Sequence, residues 1–307
     1  MLQRIINLVY RYPASRLKTY KRFGGYFKYR SVIRNSRLMA EASMQLPPIL
    51  SHPEGLPLYF LTGKNYLYQT LFCIQSLARV SSTRFRFILV DDGSFDETLM
   101  QQVNKSLPGA EVVTQTQIAE NLQNALPQDR YPFLHHKREV YPHIKKLTDI
   151  HTIPGNSWKL VLDSDMLFWH SPVEMIKWLK SPEGPLNMLD CTPSYGYSTV
   201  LMELLCGEQI QPMLNVGAIG LNSNAINWDN LEHWGKTLEE KEGASYYLEQ
   251  ALSAMLIGNK PATILNATDY IVNPEEAAVK NRVGVLHHYV DLSKAAYFNI
   301  AWKKLTD

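Results

Sequence analysis

The 307-residue chain has few cysteines and no long apolar run. Its three cysteines, Cys73, Cys191 and Cys206, are widely spaced and odd in number, which excludes a disulfide framework and a cysteine-based zinc cluster. Such sparse use of cysteine is typical of a reducing compartment, so we expect a cytoplasmic protein. No apolar stretch approaches the ~20 residues that span a bilayer, and the opening MLQRIINLVYRYP lacks the pattern of a secretory signal.

Acidic residues are absent from the first 40 positions, where ten of the 31 Lys and Arg residues lie. All 29 acidic residues follow, so the net charge of +2 conceals a basic N-terminal arm and an acidic body. A helix that ends at Pro13 is predicted in this arm, with its apolar residues on one face: Leu2, Ile5, Ile6 and Val9. Aromatic residues then alternate with Lys and Arg from Tyr20 to Tyr29.

The arm has two competing interpretations. Its cations and aromatic rings suit an anionic membrane surface contacted through residues 1–40, which would make the protein peripheral at the inner face of the membrane. Alternatively, the arm's helix docks on the protein's own core and its charges are merely solvated. Nucleic acid is a weaker alternative, because no known nucleic-acid-binding motif accompanies the charge.

The rest of the chain has the pattern of one large α/β domain. Apolar residues make up 45% of the sequence, which is enough for a substantial core, and the Pro-rich QLPPILSHPEGLP reads as a linker. We therefore expect an extension over residues 1–50 and a single domain over 51–307. Helices over 66–80 and 95–106 alternate with predicted strands at 58–62, 84–90, 111–114, 159–162, 185–189, 214–221, 263–265 and 283–287. This alternation predicts a mixed, mainly parallel sheet with helices on both faces.

Acidic residues follow two of these strands. Ligands of such sheets bind beyond the carboxyl ends of the strands, which places Asp91, Asp92, Asp163 and Asp165 on one rim. Asp163-Ser164-Asp165 is the more informative pair, because two carboxylates one residue apart can share Mg²⁺ or Mn²⁺ and leave positions for phosphate oxygens. Apolar sequence on both sides disfavours a solvated turn.

Two other interpretations of these acidic residues are weighed. A phosphatase of the haloacid dehalogenase type also places two Asp after a strand, but near the start of its domain and with Thr or Val where this chain has Leu167. Around Asp91 and Asp92, Ser94 and Glu97 form a predicted capping box for the helix that begins near Phe95, and such capping is compatible with ligand binding.

Several separated motifs together resemble nucleotide-sugar-dependent glycosyltransferases of the GT-A fold. FILVDDGSFDET resembles the nucleotide-binding turn of inverting members, and LVLDSDMLF resembles the acidic metal-binding motif shared by most of the fold. MLNVGAIGLN, YYLEQALSAML and VLHHYVDLSK resemble three segments of the retaining family 8, the group of glycogenin and lipopolysaccharide galactosyltransferases. Departures from that family are Glu249 for its Asp, Asp291 for its Gly, and Ala295-Ala296 for its Pro-Trp.

The resemblance implies a role for each matching residue. The metal would be held by Asp163, Asp165 and His288, with Ser164 between the two carboxylates. Donor contacts are implied for Thr62, Tyr66, Asp91, Asp92, Lys146, Asn215, Gly217 and Lys294. Candidates for catalysis are Glu249, which would be the base of an inverting reaction, and Gln250, which would suit a retaining one. Asp190 is added from its position at the end of the PLNML strand, where it could hold the acceptor or serve as base.

The implied activity is a metal-dependent transfer of a sugar from a UDP-sugar to a cell-envelope, polysaccharide or lipid-linked acceptor. A His ligand favours Mn²⁺ over Mg²⁺ and has to be neutral, so metal binding is expected to weaken below roughly pH 6. The departures at Asp291 and Ala295-Ala296 leave a non-catalytic nucleotide-sugar binder of the same fold as an alternative.

Overall fold

The computed structural model describes residues 18–306. The helix predicted near the N-terminus lies outside this range. Among the described residues, no helix combines the length and the apolar character needed to cross a bilayer.

The described residues contain ten strands. Their bounds are β1 (Leu56–Thr62), β2 (Phe85–Asp91), β3 (Glu111–Val113), β4 (Trp158–Leu162), β5 (Met166–Phe168), β6 (Leu186–Leu189), β7 (Leu214–Asn222), β8 (Thr263–Ile264), β9 (Tyr270–Val272) and β10 (Leu286–His288). Seven form the main sheet in the order β3-β2-β1-β4-β7-β6-β8, and β5-β10-β9 form a small second sheet. In the main sheet β7 is antiparallel to β4 and to β6, and the other pairs are parallel.

Helices surround the main sheet. Their bounds are α1 (Tyr26–Ser43), α2 (Leu67–Val80), α3 (Glu97–Ser106), α4 (Gln115–Ala125), α5 (Pro132–Val140), α6 (Lys145–His151), α7 (Val173–Lys180), α8 (Thr199–Cys206), α9 (Trp228–Glu242), α10 (Leu248–Ile257), α11 (Glu276–Asn281) and α12 (Lys294–Ala296), with α12 continuing into a π-helical turn, Tyr297–Ala301. Successive residues of a strand point to opposite faces. Accordingly, Tyr59 packs into one hydrophobic core, while Leu58 and Phe60 pack into the other. Both faces are covered, which explains why the central strands are mostly apolar.

The topology brings the chemically interesting residues to one edge. The parallel strands β1, β2 and β4 end at Thr62, Asp91 and Leu162, directly before or at the polar residues of the predicted rim. Strand β7 runs the other way, so its beginning lies at the same edge, and the Asp163 N–H donates to the Gly217 carbonyl at 2.7 Å.

The small sheet adds a distant part of the chain to this edge. Strand β10 is antiparallel to β5, with His288 opposite Met166. The Tyr289 N–H also donates to the Asp165 carbonyl at 2.9 Å. Consequently His288 lies beside the acidic pair, although about 120 residues separate them along the chain.

Helix α1 was not predicted from the sequence, and it is a structural part of this region. Its buried residues Val32 and Met39 belong to a core cluster that also contains Leu167, Tyr289 and Trp302. Two polar side chains fix its register, because Ser31 and Asn35 donate to Asn299 Oδ1 at 3.1 and 2.9 Å.

Two local predictions were wrong. Helix α3 is capped by Asp96, whose carboxylate accepts from the Leu99 N–H at 2.9 Å, and not by a Ser94–Glu97 capping box. The Ser94 N–H and hydroxyl are taken up by Asp92, so the chain stays non-helical until Asp96. The last strand begins at Leu286 and includes His288, because its register is set by pairing with β5 and β9.

Candidate active site

Three side chains at the edge of the sheet form a candidate metal site. One ligand atom each from Asp163, Asp165 and His288 lies within 4.8 Å of the others. His288 Nε2 is 3.4 Å from Asp163 Oδ2 and 3.4 Å from Asp165 Oδ1. Two carboxylates and one imidazole are a donor set that Mn²⁺ accepts.

The orientation of His288 fits a ligand role. Its Nδ1 faces Asn215 Oδ1 at 3.1 Å, and this oxygen also accepts from the Gly217 N–H at 2.9 Å. Because Asn215 offers an acceptor, Nδ1 carries the proton of a neutral ring, and the lone pair of Nε2 points at the carboxylates. Nε2 is buried and has no hydrogen-bond partner among the described residues. A lone pair facing two carboxylates calls for a cation between them.

A proton takes that place when no metal is bound. Burial lowers the pKa of His288, but the negative charges of Asp163 and Asp165, each 3.4 Å from Nε2, outweigh it and raise the pKa to about 9. A proton therefore competes with a metal over a wider pH range than the sequence-based expectation of roughly pH 6 implied.

Two lysines keep the acidic pair ionised. Lys146 Nζ lies 2.9 Å from Asp163 Oδ1, and Lys294 Nζ forms an ion pair with Asp165. Burial raises the pKa of each carboxyl group, but the neighbouring cations lower it by more, so both pKa values lie below their usual range. These cations are Lys146 at Asp163, Lys294 at Asp165 and His288 at both. Both carboxylates are therefore charged at neutral pH and available to a divalent ion.

Glu249 is the most unusual carboxyl group of the site. It is 4% exposed, its Oε2 lies 3.3 Å from Lys146 Nζ, and its Oε1 has no hydrogen-bond partner among the described residues. Burial raises its pKa to about 7, because Lys146 offsets only part of the desolvation. A carboxylate with this pKa can accept a proton near neutral pH.

Asp190 joins two further predicted residues. Its Oδ2 accepts from Asn215 Nδ2 at 3.1 Å and from Gln250 Nε2 at 3.2 Å. Gln250 also donates to the Ser194 carbonyl at 2.9 Å. The network connects the start of β7, the end of β6 and helix α10, so it holds Asn215 in the position that orients His288.

Gly217 has a steric role at the start of β7. A side chain at this position would occupy the space of the His288 ring. The glycine therefore permits the approach of His288 to β7, and a contact between Gly217 and a donor sugar stays a prediction.

Two aspartates of the predicted nucleotide-binding turn stabilise it by hydrogen bonds to its own backbone. Asp91 is 5% exposed, and its Oδ1 accepts from the N–H groups of Gly93, Ser94 and Phe95 at 2.7, 3.0 and 3.1 Å. Asp92 Oδ1 accepts from Ser94. Both carboxylates thus shape the turn. Tyr66 is 51% exposed, and its stacking on a base stays a prediction.

Thr62 and Ser164 lie beneath the rim. Both are buried, and both hydroxyls are 2.8 Å from the Thr70 hydroxyl, which links them. This chain of hydroxyls ties β1 and helix α2 to the acidic pair, so the two residues support the site from behind.

Sequence reasoning missed three residues of this region. Lys145 donates to the Asp92 carbonyl at 2.6 Å, and Thr70 makes the hydroxyl link just described. The Tyr141 hydroxyl accepts from the Glu249 N–H at 3.3 Å and donates to the Tyr246 carbonyl at 2.5 Å. Lys145 adjoins Lys146, which was a detectable signal, whereas Thr70 and Tyr141 act through contacts that have no local motif.

Comparison with known proteins assigns the fold. No protein-family model and no curated protein sequence matches the chain. Among solved structures, apo mouse xyloside xylosyltransferase 1 is similar at 15% identity and a TM-score of 0.50, covering 81% of this chain and 94% of its own. The galactosyltransferase LgtC, in complex with donor and acceptor sugar analogs, is similar at 15% identity and a TM-score of 0.50, covering 82% of this chain and 96% of its own.

The protein has the GT-A fold of glycosyltransferases. The fold class and the resemblance predicted from the sequence are confirmed at this level. A fold of this kind also removes the structural basis of the haloacid dehalogenase alternative. At 15% identity the likeness concerns the fold, so activity has to be argued from the site.

Proposed function

We propose that the protein is a metal-dependent glycosyltransferase that uses a nucleotide-diphosphate sugar, with a UDP-sugar as the expected donor. The observation that carries the proposal is the convergence of Asp163, Asp165 and His288 at the carboxyl edge of a GT-A sheet. Two lysines, Lys146 and Lys294, accompany these ligands.

The metal ligands and the two lysines would act on the diphosphate leaving group. Asp163, Asp165 and His288 would hold Mn²⁺ or Mg²⁺, which supplies positive charge for the departing diphosphate. Lys294, whose side chain is 30% exposed, can donate to the diphosphate and to Asp165 from the same position. Lys146 is buried and keeps Asp163 ionised.

The acceptor side of the proposal centres on Glu249 and Gln250. Glu249 can take the proton of an acceptor hydroxyl, as an inverting reaction requires, because its pKa is about 7. Gln250 is held by Asp190 and the Ser194 carbonyl and would suit a retaining reaction. We propose a cell-envelope, polysaccharide or lipid-linked acceptor, used in the cytoplasm at the inner face of the membrane.

Metal binding and donor hydrolysis test the proposal together. Manganese titration by calorimetry, followed by hydrolysis of a panel of UDP-sugars, should show binding and turnover in the wild type. Asp163→Asn and Asp165→Asn should each weaken metal binding by at least about tenfold and abolish turnover. Asp229→Asn is the matched control, since Asp229 is exposed and pairs with Arg130 on another surface.

Three results would contradict the proposal. Turnover without a divalent ion would exclude the metal site, and nucleotide binding without turnover on any donor or acceptor would favour the non-catalytic binder. Release of phosphate from simple phosphomonoesters would favour a phosphatase.

A further inference from the structure

Helix α1 has an inner face and an outer face of different character. The inner face carries Val32 and Met39, which are 5% and 0% exposed. The outer face carries Arg30, Arg34 and Arg37, whose spacing of four and three residues places them on one side of the helix. All three are exposed.

The charge of this outer face is not neutralised by the protein. None of the three arginines forms an ion pair with an acid within the part of the chain that the structure describes, 18–306. The sequence has no acid before Glu41, which is the one acid of α1 and lies at the end of the same face. The face is therefore a cationic stripe of about two helical turns.

Apolar side chains border the cationic stripe. Phe27 is 83% exposed and Met44, just beyond the helix, is 60% exposed. Ile33 and Leu38 are each 38% exposed. Exposed apolar residues are ordinary when scattered singly, but these four flank the same three arginines.

We propose that the outer face of α1, made of Phe27, Arg30, Ile33, Arg34, Arg37, Leu38 and Met44, binds an anionic membrane surface. Arginine guanidinium groups suit lipid phosphates, and aliphatic and aromatic side chains suit the boundary between headgroups and acyl chains. Nucleic acid would use the cations but leaves Ile33, Leu38 and Met44 without a partner. A second copy of this chain would bring one cationic stripe against another.

The inner face makes this membrane contact relevant to the candidate active site. Asn35 binds Asn299, and Arg22 forms an ion pair with Asp291. Residues 291 and 299 flank Lys294, whose ammonium group pairs with Asp165. The membrane-binding face and the metal site thus belong to one packed unit, which would present the site to a lipid-linked acceptor; to that extent the inference rests on the proposed function.

Vesicle binding by the full-length protein tests the inference without donor, acceptor or metal. Vesicles of phosphatidylcholine with phosphatidylglycerol should pull the protein down at low salt, and pure phosphatidylcholine vesicles should not. The triple variant Arg30→Gln, Arg34→Gln and Arg37→Gln should bind the anionic vesicles at least about tenfold more weakly. Phe27→Ser removes an apolar contact, so it should weaken the part of vesicle binding that persists when salt is added.

A charge-matched control separates the stripe from net charge. Lys236→Gln, Lys241→Gln and Lys260→Gln remove three exposed cations elsewhere and should leave vesicle binding unchanged. Equal loss in both triple variants would overturn the inference, as would tighter binding to an oligonucleotide than to anionic vesicles. A dimer that the arginine variant dissociates would overturn it as well. Failure of donor hydrolysis would leave vesicle binding unaffected, so the two proposals fail separately.

Discussion

The candidate active site contains several buried charged side chains whose ionisation depends on their neighbours. Lys146 contacts two carboxylates, with its Nζ 2.9 Å from Asp163 Oδ1 and 3.3 Å from Glu249 Oε2, although burial opposes the charge of each group. The consequences differ because Asp163 is paired on both sides and stays ionised, whereas Glu249 keeps one unpartnered oxygen and titrates near neutrality. Equivalent carboxyl groups therefore receive different chemical roles from their surroundings.

The pH dependence of turnover tests the role of Glu249. Its pKa is raised from 4.5 to about 7, so the group is protonated below that pH and cannot accept a proton. We expect kcat/KM to rise with pH through about 7 in the wild type. Glu249→Gln should remove this rise and reduce turnover by about 10²–10⁴-fold. Glu240→Gln is the control, and a Glu249→Gln enzyme with the wild-type pH profile would contradict the assignment.

Substitution of Arg22, alone and together with Asp291, tests whether this ion pair affects the donor site electrostatically. Because Asp291 lies three residues before Lys294, removing its partner in Arg22→Ala should leave a carboxylate that repels the diphosphate. UDP affinity, measured by calorimetry, should fall by about two- to fivefold, as expected for an exposed pair. Asp291→Asn in the same background should restore it, whereas persistence of the loss in the double variant would indicate a purely structural role.

Single residues also show where sequence reasoning ends. Asp163 and Asp165 could be predicted because a buried strand feeds a short acidic motif. The tautomer of His288 could not, because it depends on Asn215, and the contact between Asn215 and His288 exists only in the folded chain. The same holds for Gly217, whose missing side chain makes room for that ring.

Among the secondary-structure elements, helix α1 was missed because its sequence lacks a regular apolar pattern. Its inner face has only two fully buried apolar residues, Val32 and Met39, while Ser43 is buried as well and Ser31 and Asn35 also face inward. At Ser31 and Asn35, hydrogen bonds to Asn299 take the place of the apolar contacts that an amphipathic helix usually makes, so the apolar periodicity is incomplete. Strands β1, β2, β4 and β7 were predictable because burial on both faces makes them mostly apolar.

Truncation of a methionine measures how firmly α1 is docked. Met39 is 0% exposed in the cluster with Trp302, so Met39→Ala should lower the free energy of unfolding by about 2–5 kcal/mol. Met44→Ala, at a 60% exposed position, should change it by less than about 0.5 kcal/mol. Denaturant unfolding gives both values, and equal stability of the two variants would mean that α1 contributes little to the core.

For the whole molecule, α1 and the main sheet are parts of one packed structure. Deleting residues 1–40 would remove Val32 and Met39 from the cluster behind Asp165 and His288, so it would not separate membrane binding from nucleotide binding. The expected boundary at residue 50 remains a prediction, but the segment around it is hydrogen-bonded to the end of α3 and to the loop that follows. The Ile49 and Ser51 N–H groups donate to the carbonyls of Ser106 and Pro108, each at 2.9 Å.

Hydrogen exchange tests whether this segment is a flexible linker. The Ser51 hydroxyl accepts from the Phe87 N–H at 2.9 Å, and the His52 N–H donates to the Phe85 carbonyl at 2.8 Å, so β2 and the segment bond in both directions. The Ile49, Ser51 and His52 amides should therefore exchange as slowly as those of β2, because these hydrogen bonds break only when the sheet and α3 open. Peptides covering 243–247, an exposed stretch, provide the fast reference. Exchange of residues 49–52 at that fast rate would instead support two independent units, and α1 would then have to hold its place through Asn299 and the Trp302 cluster alone.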